Sequence, residues 1–370
     1  MHYSGALKLA RRISKRFELS PTSIPPLPRL RRARGPRFII LCYHGIGESG
    51  NALLPAPSLD QFDAEMGFLR RNYRVLSLED IFRELSNPLS PDPGIAITFD
   101  DGYRSAYTQA FPTLRKYQLP ATIYLTIDTI ETGQVAWYDR VFSALGHAPT
   151  GEFQIDLEGP WRLGLLSREA RLRSALEIVA FFRTLPNFRR AECCARLERA
   201  LSLPRSAVSG KVLTWDEIHL MQKSGIAFGS HTMTHPVVSQ LSGAELEHEL
   251  LDSRRILEKK LGTPVMDFAF PFGKISDCGF ATADLLSQYG YRSAVTTVAG
   301  VNRPHTNRFG LRRMQTGHNC SLARFSFDLA RAFLDYDGSE AGSSLHDGVT
   351  SNNRSRGSEK LSEAIGGSDA

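Results

Sequence analysis

Two short polar clusters contain the side chains of this sequence that are best suited to chemistry. The first is TFDDG at Thr98–Gly102, and the second is HTMTH at His231–His235. One carboxylate with two imidazoles forms a ligand set that leaves one metal position open for water. The other carboxylate of the first cluster is left over as a base, and this combination indicates a hydrolase.

Each cluster follows an apolar run that predicts a buried strand, Gly94–Ile97 before the first and Ile226–Gly229 before the second. The ends of such strands are where α/β folds carry their catalytic groups. Alone, an Asp-Asp-Gly run is more often a surface turn, and two histidines at this spacing are more often structural. Adjacent side chains of an extended segment point to opposite sides, so Asp100 and Asp101 can face a water molecule and a metal ion separately.

Strands and helices alternate along most of the chain, which predicts a parallel sheet with right-handed crossovers. Residues 143–210 interrupt this alternation with a polar section and a helical run over 167–201, broken at Pro186. We interpret this segment as a helical insertion packed beside a barrel. The patterns predict strands at 38–43, 94–99, 121–127, 226–230, 266–270, 292–296 and 311–314, and helices at 59–72, 107–117, 214–224, 243–261 and 282–289.

The basic charge of the chain is confined to its beginning. The 370 residues have 42% hydrophobic and 23% charged side chains, as in ordinary soluble proteins, and no window is apolar enough to span a membrane. Residues 1–37 contain ten Lys and Arg and one acid, so their +9 leaves −3 of the total +6 for the rest. No nucleic-acid partner is therefore expected.

The two ends of the chain have unusual compositions. The basic N-terminal arm, residues 1–37, is either a segment that docks on an anionic membrane surface or a solvated, disordered arm. Residues 337–370 have almost no apolar side chain to bury and predict a disordered tail. An apolar signal-peptide core is missing and the five cysteines are unpatterned, so a cytoplasmic location is expected, with a membrane-peripheral location as the alternative.

A third run, FAFPFG at Phe268–Gly273, completes a resemblance to a known family. Together the three runs resemble the first three motifs of polysaccharide deacetylases of the NodB-homology group, carbohydrate esterase family 4 type, with agreement over about residues 38–320. The form of the third run resembles the branch that acts on exopolysaccharides. The resemblance implies a distorted (β/α)₇ barrel over residues 38–336 and the metal-dependent removal of N-acetyl groups from an N-acetylated polysaccharide or oligosaccharide.

The resemblance also implies a role for each residue of the first two runs. Asp100 would be the general base that activates a metal-bound water, while Asp101, His231 and His235 would hold a divalent metal, with zinc expected. Many family members carry an arginine two residues before the proline of the third motif, where it orients the base. That position is Ala269 here, so the orientation of Asp100 must come from elsewhere.

Further residues of the chain match parts of the family's substrate groove. The loop at Pro271 and Phe272 would line this groove and offer a backbone N–H to the oxyanion. Trp137 and Asp139, in the run WYDR, resemble a motif of the groove wall, where an aromatic ring can stack on a sugar. Packing of Trp137 in a core is the alternative.

The catalytic acid is the part of the resemblance with the weakest match. The family uses a histidine in a late Leu-x-His motif, which this chain lacks. We expect His44 to take this role, because it ends the first strand and the first and last strands of a closed barrel are neighbours. His318, in a late loop, is the alternative.

Three other functions fit parts of the pattern. A small-amide hydrolase of the same superfamily would share the barrel and the third motif. An iron-dependent oxygenase could use two histidines and a carboxylate, but it would leave Asp100 unexplained and usually has an all-β pattern. A non-catalytic glycan-binding relative would explain the missing arginine, although the four intact residues of the first two clusters argue against it.

Overall fold

Eight parallel strands form a curled sheet at the centre of the described part of the fold. The structure, a computed structural model, describes residues 37–47, 53–85, 93–279, 282–318 and 320–334. The strands are β1 Phe38–Tyr43, β2 Arg74–Val75, β3 Gly94–Phe99, β4 Thr122–Leu125, β7 Ala227–Ser230, β8 Asp267–Ala269, β9 Ser293–Val295 and β10 Met314–Gln315. Their order in the sheet is β10-β1-β3-β4-β7-β8-β9, with the short β2 paired to the start of β3.

A single segment joins the two edges of this curled sheet. Leu311 forms a parallel bridge with Val295 of β9, and three residues later Met314 pairs with Leu41 of β1. The sheet with its surrounding helices therefore forms the distorted barrel that the sequence predicts. Every residue of β1 and β3 is buried, as expected for parallel strands covered on both faces.

The five predicted barrel helices are present at nearly the predicted positions, whereas the helices Leu78–Leu85, Ile127–Thr132, Ile275–Cys278 and Leu322–Leu334 were not predicted. Thr214 and Glu217 form the reciprocal hydrogen bonds of a capping box at the start of one of them. Two π-helical turns, Ala106–Ala110 and His248–Asp252, interrupt predicted helices. The barrel helices are α1 Leu59–Asn72, α2 Leu78–Leu85, α3 Phe111–Tyr117, α4 Ile127–Thr132, α8 Trp215–Lys223, α9 Gly243–Glu247, α10 Ser253–Leu261, α11 Ile275–Cys278, α12 Thr282–Gln288 and α13 Leu322–Leu334.

The insertion has a hydrophobic core of its own. Helix α5, Trp137–His147, leads into the hairpin β5–β6, Glu152–Asp156 and Pro160–Gly164. Helices α6, Arg168–Phe182, and α7, Asn187–Ala200, then pack on the hairpin around buried side chains that include Ile178 and Leu197. The helix break at Pro186 agrees with the prediction, whereas the hairpin was not predicted.

Some predictions cannot be compared with this structure. The basic arm, apart from Arg37, and the tail at 337–370 lie outside the described residues, and the domain boundaries remain predictions. Among the described residues, no helix has both the length and the apolar composition needed to cross a membrane.

Candidate active site

The structure brings Asp101, His231 and His235 together at one end of the sheet. Asp101 Oδ1 lies 3.4 Å from Nε2 of each imidazole, and the three side chains are at most 5% exposed. Within the described part of the chain, this buried oxygen has no hydrogen-bond partner. Two nitrogens and one carboxylate oxygen facing a common point fit a divalent ion that prefers N and O ligands.

The backbone that presents these three candidate ligands is unusual. Asp101 and Thr232 have φ of +71°, and His235 has φ of +58°, in the left-handed region that side chains other than glycine rarely adopt. Asp100 and Asp101 were expected to point in different directions because they lie in an extended segment. This expectation is corrected, because Asp101 lies in a left-handed turn. Such local strain persists only where the surrounding structure holds it, and it is frequent at functional sites.

Glu249 supports the loop that contains the two histidines. Its buried carboxylate accepts hydrogen bonds from the backbone N–H of Met233 (2.8 Å) and Thr234 (3.0 Å) and from the Thr234 hydroxyl (2.6 Å). Asn187, at the start of α7, donates a further bond of 3.1 Å to the same carboxylate. The insertion is thus linked to the loop of the candidate metal site through one buried acid.

The backbone of the third motif also orients one candidate ligand, His231. His231 Nδ1 lies 2.7 Å from the carbonyl oxygen of Ala269, so this nitrogen carries the proton and Nε2 is left free to face Asp101. Although Ala269 lacks the expected arginine side chain, its main chain still contributes to the site.

Arg313 supplies the positive charge beside Asp100, in place of the arginine that is missing from the third motif. Its Nη1 and Nη2 each lie 2.7 Å from one oxygen of Asp100, and Arg313 and Asp100 are 0% and 3% exposed. Arg313 Nε donates to the carbonyl of Thr296. Burial alone would raise the pKa of Asp100, but the guanidinium holds this pKa below its ordinary value. The carboxylate is therefore ionised and fixed in orientation.

Of the two candidate acids, His44 is the one that lies at this cluster. Its side chain is 46% exposed, and Nε2 lies 4.0 Å from Asp101 Oδ2. It also lies with Cys42 and Asp100 in one group whose ligand atoms are within 4.8 Å of one another. His318 is exposed, and within the described residues no hydrogen bond or ion pair links it to the cluster.

Two aromatic rings line the site beside His235. The centroid of the Tyr138 ring is 4.7 Å from that of the imidazole, and the centroid of the Phe272 ring is 4.9 Å away. Phe272 has φ of +59° and is half-buried, and its carbonyl accepts a 2.6 Å hydrogen bond from the Thr297 hydroxyl. Phe272 therefore lies where the third motif was expected to line a groove.

Three other expected groove residues are buried. Trp137 is 7% exposed, and its Nε1–H donates to the carbonyl of His235 at 2.9 Å. Asp139 is 1% exposed and accepts a hydrogen bond from the Tyr103 hydroxyl, and Pro271 is also buried. The side chains of Trp137, Asp139 and Pro271 therefore pack inside the fold, and their contact with a substrate stays a prediction. Tyr138 lies between Trp137 and Asp139 in the sequence, and its aromatic side chain is partly exposed.

Comparison with known proteins identifies the family. Residues 89–294 match the polysaccharide deacetylase family, and this match covers more than half of the chain. The protein therefore belongs to the polysaccharide deacetylases, which are hydrolases of the carbon–nitrogen bond in N-acetyl groups. Members of this family generally depend on a divalent metal.

Individual relatives are similar to this chain in sequence, and a solved structure is similar to it in fold. YxkH of Bacillus subtilis, which is assigned as a polysaccharide deacetylase, is 22% identical over 288 residues, 77% of this chain and 74% of YxkH. The poly-β-1,6-N-acetyl-D-glucosamine N-deacetylase of Escherichia coli is 30% identical over 112 residues, 28% of this chain and 16% of that enzyme. The structure of the Streptococcus pyogenes deacetylase PplD superposes with a TM-score of 0.54 at 22% identity, covering 79% of this chain and 97% of PplD.

Proposed function

We propose that this protein removes N-acetyl groups from an N-acetylated polysaccharide with Asp101, His231 and His235 holding a divalent metal, for which zinc is the expected ion. The proposal rests mainly on one observation, the ionised Asp100 fixed by Arg313 directly beside this ligand set. A divalent ion bound there would polarise the acetamide carbonyl and lower the pKa of a coordinated water.

Asp100 and His44 each carry out one of the two proton transfers of the reaction. Asp100 takes a proton from the water as its oxygen forms a bond to the acetyl carbon. The N–H of Phe272 stabilises the negative oxygen that results. His44 then gives a proton to the sugar nitrogen as the carbon–nitrogen bond breaks, so acetate and a free amine leave the site. The exposure of His44 allows it to regain a proton from solvent.

The proposed substrate is an N-acetylglucosamine polymer. The matching Escherichia coli relative is named for such a polymer, although only 28% of this chain aligns with it. The two aromatic rings beside His235 supply apolar surface on which sugar rings can stack. Hydrolysis of a small amide is the alternative, and acetate release from the polymer would exclude it.

Acetate release from poly-N-acetylglucosamine by the zinc-loaded protein tests this function. Asp100→Asn should lower turnover by about 100-fold or more, because general base catalysis contributes about 10²–10⁴-fold. Its zinc content should stay unchanged, because Asp100 is not one of the three ligands. Asp267→Asn is the matched control, since Asp267 is also a buried acid paired with an arginine, Arg292, which directly precedes β9. Equal turnover of the Asp100→Asn and wild-type proteins would contradict the assignment of the base.

The identity of the acid has its own test. His44→Asn should lower kcat about 100-fold or more while leaving zinc content unchanged, because it removes a proton donor outside the ligand set. His318→Asn is the control and should retain wild-type turnover, since His318 has no contact with the cluster among the described residues. Loss of activity in His318→Asn but not in His44→Asn would reverse the assignment.

A further inference from the structure

Arg183 of the insertion covers the side of Phe272 at the candidate active site. Its guanidinium carbon lies 4.3 Å from the centroid of the Phe272 ring, and that ring lies 4.9 Å from the ring of His235. The guanidinium is therefore within about 9 Å of a proposed metal ligand. This distance is comparable to the width of one or two sugar rings.

A buried acid fixes the guanidinium in this position. Arg183 Nη2 donates to Asp277 Oδ1 at 2.7 Å, and the Asp277 side chain is only 6% exposed. The Arg183 side chain is 28% exposed, and within the described residues Asp277 is the only side chain that accepts a hydrogen bond from it. Its remaining N–H groups can therefore donate to a ligand that reaches this side of Phe272.

The charges around Arg183 favour a neutral ligand. The carboxylate of Asp277 compensates the guanidinium, so an anionic group would gain little net attraction from this pair. A planar guanidinium that is held in place can instead donate parallel hydrogen bonds to neighbouring oxygens, and its stacking on an aromatic ring limits its freedom. Adjacent hydroxyls of a neutral sugar match this geometry.

We propose that Arg183 is a specificity-determining residue that binds the sugar next to the one whose acetamide is hydrolysed. The insertion would thus supply a subsite for a neutral glycan chain rather than serve only as packing. This inference rests on the proposed deacetylase function. It predicts that the protein prefers an oligosaccharide to a single acetylated unit, because only the oligosaccharide reaches Arg183.

Arg183→Ala tests this inference when two substrates are compared. The KM for an N-acetylglucosamine pentasaccharide should rise about tenfold, as expected for loss of hydrogen bonds worth about 1.4 kcal/mol. The kcat/KM for a small acetyl ester, which has no neighbouring sugar, should stay within about twofold. Arg183→Lys should show most of the same increase in KM, since lysine keeps the charge but lacks the planar donors.

Arg189→Ala is the matched control from the same insertion. Arg189 also pairs with an acid, Glu158 at 2.6 Å, and its guanidinium carbon lies 5.7 Å from an aromatic ring, that of Phe188. Neither partner belongs to the candidate site, so this variant should keep the wild-type KM for both substrates. Thermal unfolding and zinc content of each variant would show whether the fold and the metal site are intact.

Two kinetic results and one binding result would overturn the inference. One kinetic result is an unchanged KM for the pentasaccharide in Arg183→Ala, and the other is an equal loss with both substrates, which would indicate that Arg183 only supports Phe272. Calorimetric binding of the pentasaccharide to Asp100→Asn, with and without Arg183→Ala, measures the subsite without turnover. Failure of the wild-type protein to release acetate would count against the proposed function, whereas equal binding by these two variants would count against the subsite alone.

Discussion

Replacing Arg313 by methionine is expected to lower the free energy of unfolding by about 3–5 kcal/mol and to abolish acetate release. The guanidinium and the Asp100 carboxylate are both almost fully buried, so removing one leaves the other as an uncompensated charge. The pKa of Asp100 is held below its ordinary value in the fold. The pair therefore stabilises the protein above the ordinary carboxyl pKa, and this stabilisation disappears as the pH falls through the lowered value.

Denaturant unfolding of single and double variants measures this effect. Asp100→Asn combined with Arg313→Met should recover much of the lost stability, because neither charge is then left buried alone. The double variant should nevertheless remain inactive, since it lacks the base. Arg292→Met provides a comparison, because Arg292 also pairs with an aspartate but is 26% exposed and should cost less stability. Wild-type stability in Arg313→Met would show that the pair contributes nothing.

Replacing Asp101 by asparagine is expected to lower zinc affinity by more than about 100-fold, because even the loss of an outer partner of a metal ligand costs about 10- to 100-fold. Asparagine is the best test residue here, since it tolerates the left-handed backbone of position 101 better than alanine does. A loss of affinity would then reflect the missing negative oxygen and not a changed turn.

Competition with a chelator of known zinc affinity measures this prediction without any assay of activity. The same substitution at the preceding residue, Asp100→Asn, is the control and should bind zinc nearly as the wild type does. Acetate release should be lost in both variants, for different reasons. If Asp101→Asn kept its zinc while Asp100→Asn lost it, the roles of the two carboxylates would be exchanged.

Local sequence patterns predicted most of the barrel because each strand and helix shows its own periodicity. The first long helix, Leu59–Asn72, begins and ends at the predicted residues, and the capping box at Thr214 forms as expected. The hairpin of the insertion and the helix Leu322–Leu334 were missed. The outer face of the hairpin is exposed and its strands are short, so they resemble a polar loop in sequence.

The candidate ligands and the candidate base could be identified from the sequence because they occur as contiguous runs after apolar strands. The residues that hold these side chains in place were not predictable, since their contacts join distant parts of the chain. Asp100 and Arg313 are 213 residues apart, and Arg313 appears in the sequence as one more charge in a late strand. The direction of the Trp137 side chain was equally hidden, because it depends on how the insertion packs.

The left-handed residues of the site limit how its motifs could be used in protein engineering. Each such conformation at Asp101, Thr232, His235 and Phe272 is expected to cost about 1–3 kcal/mol, which the packed sheet and Glu249 must offset. A loop copied into another scaffold by sequence alone would relax toward ordinary backbone angles, and the imidazoles would separate. The transferable unit is therefore larger than the motifs: it comprises the strands, their turns and the distant charged residues that hold both in place.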